Sequence, residues 1–499
     1  MLLMASRTWK AAVLSSGQFF VTLNGIVLAA ILARLFSKQD YAAYQQTLVT
    51  YNIVAPLLAL GLANALYYFI PRDKSRARSI LTGNLLLLFL AGSVFAVVIW
   101  CGANRLLAQR FSNAAVRDLL LIYSPYAMLA LPVGAVNACL LSCGKTNTSA
   151  VFNMLSRFLT LVCVVGLVLI WRGPRAAITG IVIAEFFVFL AALLLMYRIA
   201  PGDRWQPDPA NIWEQIRFSI PLGLASMIGI MSRSVDKVVV SSMCSPEQFA
   251  VYVNGAIDIP LIGILTGSIN IVLLPEIVEL YSKGSAPAAL VLWRRAAVKC
   301  SLVLLPTMCF LFAMAPEVMR VLFSAEYSES AIPFRLYLVM VPIRVVAWEP
   351  MLMAAGKSSW ILSRTVVSLL INIALSVFLV RYMGYIGAIV GSICELYLWH
   401  TPFYCAAISK LYHCPLRSVL PLRKISLIMF LCLVACIVFL AKPFVPIHSD
   451  LLLLGVFGLL YVCMLTVLMI LSGTISPANI RAAISLSAGG VSSVRIPGE

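Results

Sequence analysis

The chain has 499 residues, 62% of them hydrophobic and 11% charged, with 37 Lys and Arg against 19 Asp and Glu, a formal net charge of +18. A soluble domain carries roughly a quarter charged residues, so the composition excludes a water-soluble globular fold and describes a polytopic membrane protein. No Lys/Arg-rich run with interleaved aromatics is present, so the positive balance speaks for basic loops retained on one side of a membrane, not for nucleic-acid binding.

A membrane helix needs about 20 mostly apolar residues. Spans are predicted on that measure at 11–33, 44–70, 79–101, 117–142, 147–171 and 176–197. A hydrophilic stretch at 200–209 separates them from spans at 214–241, 249–275, 291–315, 332–355, 359–381 and 385–409, and two more lie at 421–441 and 450–472. The first follows Arg7 and Lys10 but is too long for the apolar part of a signal peptide, so it is expected to stay as a transmembrane helix. The expected fold is all-α, with about fourteen transmembrane helices: two pseudo-symmetric six-helix bundles (1–199 and 214–412) joined by a linker (200–213), two additional helices (413–473) and a flexible cytoplasmic tail (474–499). An even number of spans puts both termini on one side. Loops on that side, around Arg72–Arg78, Lys283–Lys299 and Lys410–Lys424, hold roughly twice the basic residues of the opposite set, which predicts cytoplasmic termini.

The thirteen cysteines lie almost all within apolar runs and form no C-x-x-C, and the three histidines form no H-E-x-x-H. Neither a metal centre nor a disulfide framework is expected.

The halves resemble each other. Phe111-Ser112 precedes Gly144-Lys145 by 33 residues, and Phe323-Ser324 precedes Gly356-Lys357 by the same 33. Ser37-Lys38-Gln39-Asp40-Tyr41-Ala42-Ala43-Tyr44 matches Ser245-Pro246-Glu247-Gln248-Phe249-Ala250-Val251-Tyr252. Glu185 after Gly180 corresponds to Glu395 after Gly391. The offsets of 208, 212 and 210 residues are nearly constant, and six spans per half make the repeats parallel, as in transporters that rock two bundles about a central site.

These motifs, with Leu60-Gly61-Leu62-Ala63-Asn64, Val235-Asp236-Lys237 and Leu274-Pro275-Glu276, resemble bacterial polysaccharide (O-antigen type) flippases. Those proteins belong to the multidrug/oligosaccharidyl-lipid/polysaccharide exporter superfamily. The resemblance implies two bundles in a V around a cavity open to one side at a time, in a bacterial cytoplasmic (inner) membrane. It implies as cargo a polyprenyl-diphosphate-linked glycan, whose sugar and diphosphate cross a polar cavity while the prenyl tail stays among membrane lipids. A polysaccharide polymerase is an expected partner.

An anionic headgroup calls for cations at membrane depth, where charge is costly and usually functional. Arg157 in the fifth span and Arg344 in the tenth lie near the middle of their spans and are the central candidates. Arg233 and Lys237 share a face of the seventh span and are expected at the cavity's outer mouth, with Asp236 pairing with either. Arg364 either faces the cavity or snorkels to the headgroups. A guanidinium fork suits diphosphate. Asp258, Glu185, Glu395 and Glu349 are the candidates for coupling to Na⁺ or H⁺, and no cofactor is expected. Gly263-x-x-x-Gly267 and Gly387-x-x-x-Gly391 predict close helix approach, and Pro221, Pro260, Pro342 and Pro402 predict kinks. A drug/cation antiporter of the same superfamily uses acidic residues in the first bundle, yet the first span has no charge between Ala11 and Ala33. A lipid II flippase would want basic residues inside the early spans, where Arg34 and Arg72 sit at span ends. A membrane-embedded polymerase would want a sizeable outer loop, so no enzyme is expected.

Overall fold

The computed structural model describes residues 2–474 except 203, 204, 233 and 258. The candidates Arg233 and Asp258, and the tail from 475 onward, lie outside the described residues. The first half holds α1 (Leu2–Leu35), α2 (Lys38–Ala59), α3 (Leu62–Arg72), α4 (Ala77–Val98), α5 (Asn104–Arg110), α6 (Ala115–Ser142), α7 (Thr146–Trp171) and α8 (Pro174–Ile199). In the second are α9 (Pro209–Ser232), α10 (Val235–Met243), α11 (Pro246–Gly255), α12 (Pro260–Ser282), α13 (Ala286–Ala313) and α14 (Ala315–Phe323). It continues with α15 (Ala331–Leu338), α16 (Val341–Arg344), α17 (Glu349–Ala354), α18 (Ser358–Met383), α19 (Tyr385–Cys394) and α20 (Thr401–Leu411). The turn α21 (Leu416–Val419) leads to α22 (Leu422–Ala435) and α23 (Asp450–Leu471).

Every predicted span coincides with a helix or a broken helix. Among the described residues, eight helices are long and apolar enough to cross a membrane, or up to ten when two pairs bent by 40° and 46° each count as one. Several of the remaining predicted spans are interrupted. The seventh breaks between α9 and α10, the eighth between α11 and α12, and the twelfth passes through a π-helical turn, Glu395–His400. The tenth breaks at 345–348, beyond Pro342. Loose backbone carbonyls are costly in a membrane, and aromatic donors meet them here: Trp293 donates to the Ala347 carbonyl at 2.7 Å and Trp348 to that of Ile343 at 3.3 Å.

The repeated motifs prove to be helix punctuation. Ser37 and Ser245 are N-caps with nearly identical backbone angles, accepting from the backbone N–H of Asp40 and Gln248 three residues on. Gly144 and Gly356 turn left-handed at φ +74° and +68°. Each lets the following lysine bond back five residues, Lys145 to Leu140 at 2.8 Å and Lys357 to Leu352 at 2.9 Å. Ser112 and Ser324 both take positive φ. At Gly180 and Gly391 a Cβ would meet the backbone of α7 at Val164 and of α18 at Ser376, so each half closes on its matching glycine.

Gly387 likewise lies against Leu379 of α18, as its motif predicts. Gly263 and Gly267 do not: among the described residues a Cβ at either would meet nothing within 4 Å.

The halves meet at both ends. Although the seventh span belongs by repeat to the second half, α9 runs as a strap along α2, α3 and α4 of the first. Gly223 touches the Leu60–Gly61 backbone, Phe218 stacks on Tyr68 at 4.8 Å, and Asn84 bonds Gln215 at 2.8 Å. At the opposite end Tyr41 donates to Asn254 at 2.8 Å, and Arg34 reaches the Val321 carbonyl. The last two helices are clasped to the second half by ion pairs, Arg320 with Asp450 at 2.7 Å and Lys442 with the buried Glu317 at 2.5 Å.

Candidate functional site

Positions 150, 157, 164 and 168 return to nearly one face of α7, since 7 residues are about two turns and 18 about five. Ala150, Val164 and Val168 are buried, so that face packs inward. Arg157, on the same face, is exposed. Arg157 is therefore accessible on a face whose other members are packed away. Its electrostatic neighbours are Glu185 of α8, Tyr51 of α2 and Tyr126 of α6. Tyr51 meets Tyr126 edge-on at 4.9 Å, and Tyr126 stacks on Tyr123 at 4.6 Å. Four helices of the first half thus bring one guanidinium, one half-buried carboxylate and three phenol rings together. Arg157 and Glu185 were each singled out in sequence, in separate roles and not as neighbours. The tyrosines were not singled out, although Tyr123 and Tyr126 stand three apart on one helix face.

In the second half Arg344, Arg364, Glu349 and Glu395 gather near His400, which was unanticipated. Arg364 of α18 is only 9% exposed, so it neither snorkels nor lines an accessible cavity here. It donates through Nη1 to His400 Nδ1 at 2.6 Å and through Nη2 to Thr365 Oγ1 at 2.9 Å, and it lies over the Tyr404 ring at 5.2 Å. Glu395, at the start of the π-helical turn, is within its electrostatic reach. The Tyr404 hydroxyl is buried between Glu349 and Arg364 without a close bond to either. Arg344, half-buried at the end of α16, lies over Tyr337 at 5.2 Å and adds its field at His400. The helix break at 345–348 and the π-helical turn bring these groups together, and neither irregularity follows from hydropathy.

Lys237 is half-buried in the first turn of α10, and its predicted partner on that face, Arg233, is not described. Asp236 is buried, and its Oδ2 accepts from the Tyr252 hydroxyl at 2.6 Å, 16 residues away, a partner not anticipated from the sequence. The break before α10 makes Asp236 the second residue of a new helix.

The sequence matches the polysaccharide biosynthesis protein family over residues 31–332. The chain belongs to the polysaccharide biosynthesis protein family. No curated protein matches it in sequence. Its fold is shared with solved transporters. The lipid II flippase MurJ in an inward closed conformation is 13% identical, with 94% of this chain and 99% of that one covered and a TM-score of 0.73. A multidrug resistance MATE family transporter of the MOP superfamily, in an inward-facing conformation, is 16% identical over 81% of this chain and 99% of that one, with a TM-score of 0.61. A MOP superfamily transporter from Pyrococcus furiosus, described by the reverse polarity of its binding pocket, is 16% identical over 81% and 96%, with a TM-score of 0.56. This member of the polysaccharide biosynthesis family is therefore a multi-pass membrane protein with the fold of that transporter superfamily.

Proposed function

We propose that the chain is a flippase for a polyprenyl-diphosphate-linked oligosaccharide, moving it across the inner membrane by alternating access of the two halves, with both termini cytoplasmic. The observation that carries this reading is Arg157, an exposed guanidinium on the inward face of α7 beside Glu185 and Tyr51. A planar fork of donors there matches two diphosphate oxygens at once, and phenol rings and hydroxyls beside it suit a sugar. Contacts between the halves at both ends supply two places to part in turn. Family membership supports a glycan as cargo. Arg344 and Arg364, held within the second half, serve that half's own conformational change.

The test is translocation of a fluorescent lipid-linked oligosaccharide in proteoliposomes. Arg157→Ala, with insertion verified, forgoes two charge-assisted bonds worth about 1.5–3 kcal/mol each, so headgroup affinity should fall by about 100-fold or more. Translocation at the wild-type rate and half-saturating concentration would sink the reading.

A further inference from the structure

His400 sits where a broken helix and a π-helical turn meet, and no part of cargo binding uses it. An arginine has no lone pair, so the 2.6 Å bond from Arg364 makes His400 Nδ1 the acceptor. The imidazole is then neutral, with its hydrogen on Nε2. The charged and titratable groups facing it are Arg364 from α18, Arg344 from the end of α16 and Tyr404 from α20, whose ring lies 4.9 Å away; Glu349 at the start of α17 neighbours Tyr404, and Glu395 of the π-helical turn neighbours Arg364. Three atoms of the groups in this layer are buried with no hydrogen-bond partner, Arg364 Nε, Glu395 Oε1 and the Tyr404 hydroxyl, and of the two that can accept only Glu395 is a carboxylate. A guanidinium and a carboxylate within electrostatic reach, each with an unused buried atom, form one half of a bond that this conformation does not make.

A proton arriving at Nδ1 sets N–H against N–H and two cations side by side, so Arg364 must leave. Glu395 Oε1 is the open acceptor in the same layer. We infer that His400, Arg364 and Glu395 form a proton-binding switch: one proton from water binds Nδ1, the Arg364 to His400 bond breaks, and Arg364 pairs with Glu395. The backbone has slack for this at the π-helical turn and at the break at 345–348, features that often mark functional hinges. The switch rests on the reading of the chain as an alternating-access transporter. In that reading the state with Arg364 on His400 is the unloaded one.

Two measurements test it independently. The chain has three histidines, so side-chain NMR of histidine-labelled protein in nanodiscs shows three imidazoles, assigned with His413→Gln and His448→Gln. Removing a neighbouring positive charge favours imidazolium, so Arg364→Gln should raise the His400 midpoint by about one pH unit or more, and Glu395→Gln should lower it. An unmoved midpoint in whichever variant folds overturns the switch. In proteoliposomes with the fluorescent lipid-linked oligosaccharide, a pH gradient should speed wild-type translocation, and His400→Gln should bring the ratio of rates with and without the gradient to one. A ratio of one in wild type, or an unchanged ratio in His400→Gln, refutes the switch and leaves the flippase reading standing. Absence of wild-type translocation refutes the flippase reading instead, and the NMR titration alone then decides the switch.

Discussion

Replacing Asn84 with leucine should loosen the α9 strap by an amount the structure allows to be worked out. Asn84 is fully buried, and its amide donates to the Leu62 carbonyl and to Gln215 Oε1, both at 2.8 Å. Leucine strands both acceptors, at about 1–3 kcal/mol for each buried group left unsatisfied. It also deletes Asn84 Oδ1, which is itself buried without a partner, and so returns about one such cost. The net loss is about 1–3 kcal/mol, a factor of roughly 5–150 in an equilibrium. Because Gln215 keeps its second bond to the Ile80 carbonyl at 3.2 Å, the strap should loosen without the fold collapsing. Hydrogen exchange followed by mass spectrometry reads this directly. Exchange in residues 209–223 should accelerate by that factor, while 146–199 stays as in wild type. Unchanged protection at 209–223 would refute the account, and so would uniform acceleration along the chain, which signals global destabilisation instead.

The two glycine pairs make opposite predictions. Gly387→Ala drives a methyl into the Leu379 backbone, with the nearest atom at 2.4 Å, and should lower the thermal midpoint in detergent; Gly263→Ala and Gly267→Ala, which meet nothing within 4 Å among the described residues, should leave it unchanged. A stable Gly387→Ala would show that α18 and α19 do not pack so closely. Ser37→Ala and Ser245→Ala each remove an equivalent cap and should cost about 1 kcal/mol apiece, additively, in reversible unfolding by denaturant. Costs differing several-fold would show that the two caps are not equivalent.

What was legible in the sequence was what local chemistry decides. Apolar runs located the long helices, and the landmarks of the repeat are caps and left-handed turns, which a few neighbouring residues specify: Ser37 and Ser245, Gly144 and Gly356. Arg157 and Glu185 were found because charge in an apolar run is conspicuous. The misreadings share one cause, the assumption that a span is a continuous helix. Asp236 was read against its neighbours on the helix, and its bond to Tyr252, on the next helix, was not anticipated. His400 was passed over because its partner is Arg364, 36 residues away, and only the π-helical turn aims the ring at it. Gly263 and Gly267 show the limit of a motif whose partner helix must be supplied by tertiary structure.

The duplication kept the punctuation and divided the charges. Glu185 and Glu395 match across the repeat, and each has an arginine of the preceding long helix within electrostatic reach, Arg157 in one half and Arg364 in the other. Repeat offset does not relate the two arginines: 157 + 212 falls at Leu369, five residues beyond Arg364. That displacement has a physical consequence. On uninterrupted α7, Arg157 is exposed on an inward face, where it can meet a cargo. Arg364, beside a broken helix and a π-helical turn, is buried among protein partners, where it can meet only a rearranged neighbour. A buried cation held by a neutral imidazole is poised between two partners in a way that an exposed one is not. If the flippase reading holds, the first half supplies the recognition and the second half supplies the two-state element, and substitutions should sort accordingly: Arg157→Ala in cargo affinity, Arg364→Gln in the dependence of rate on pH.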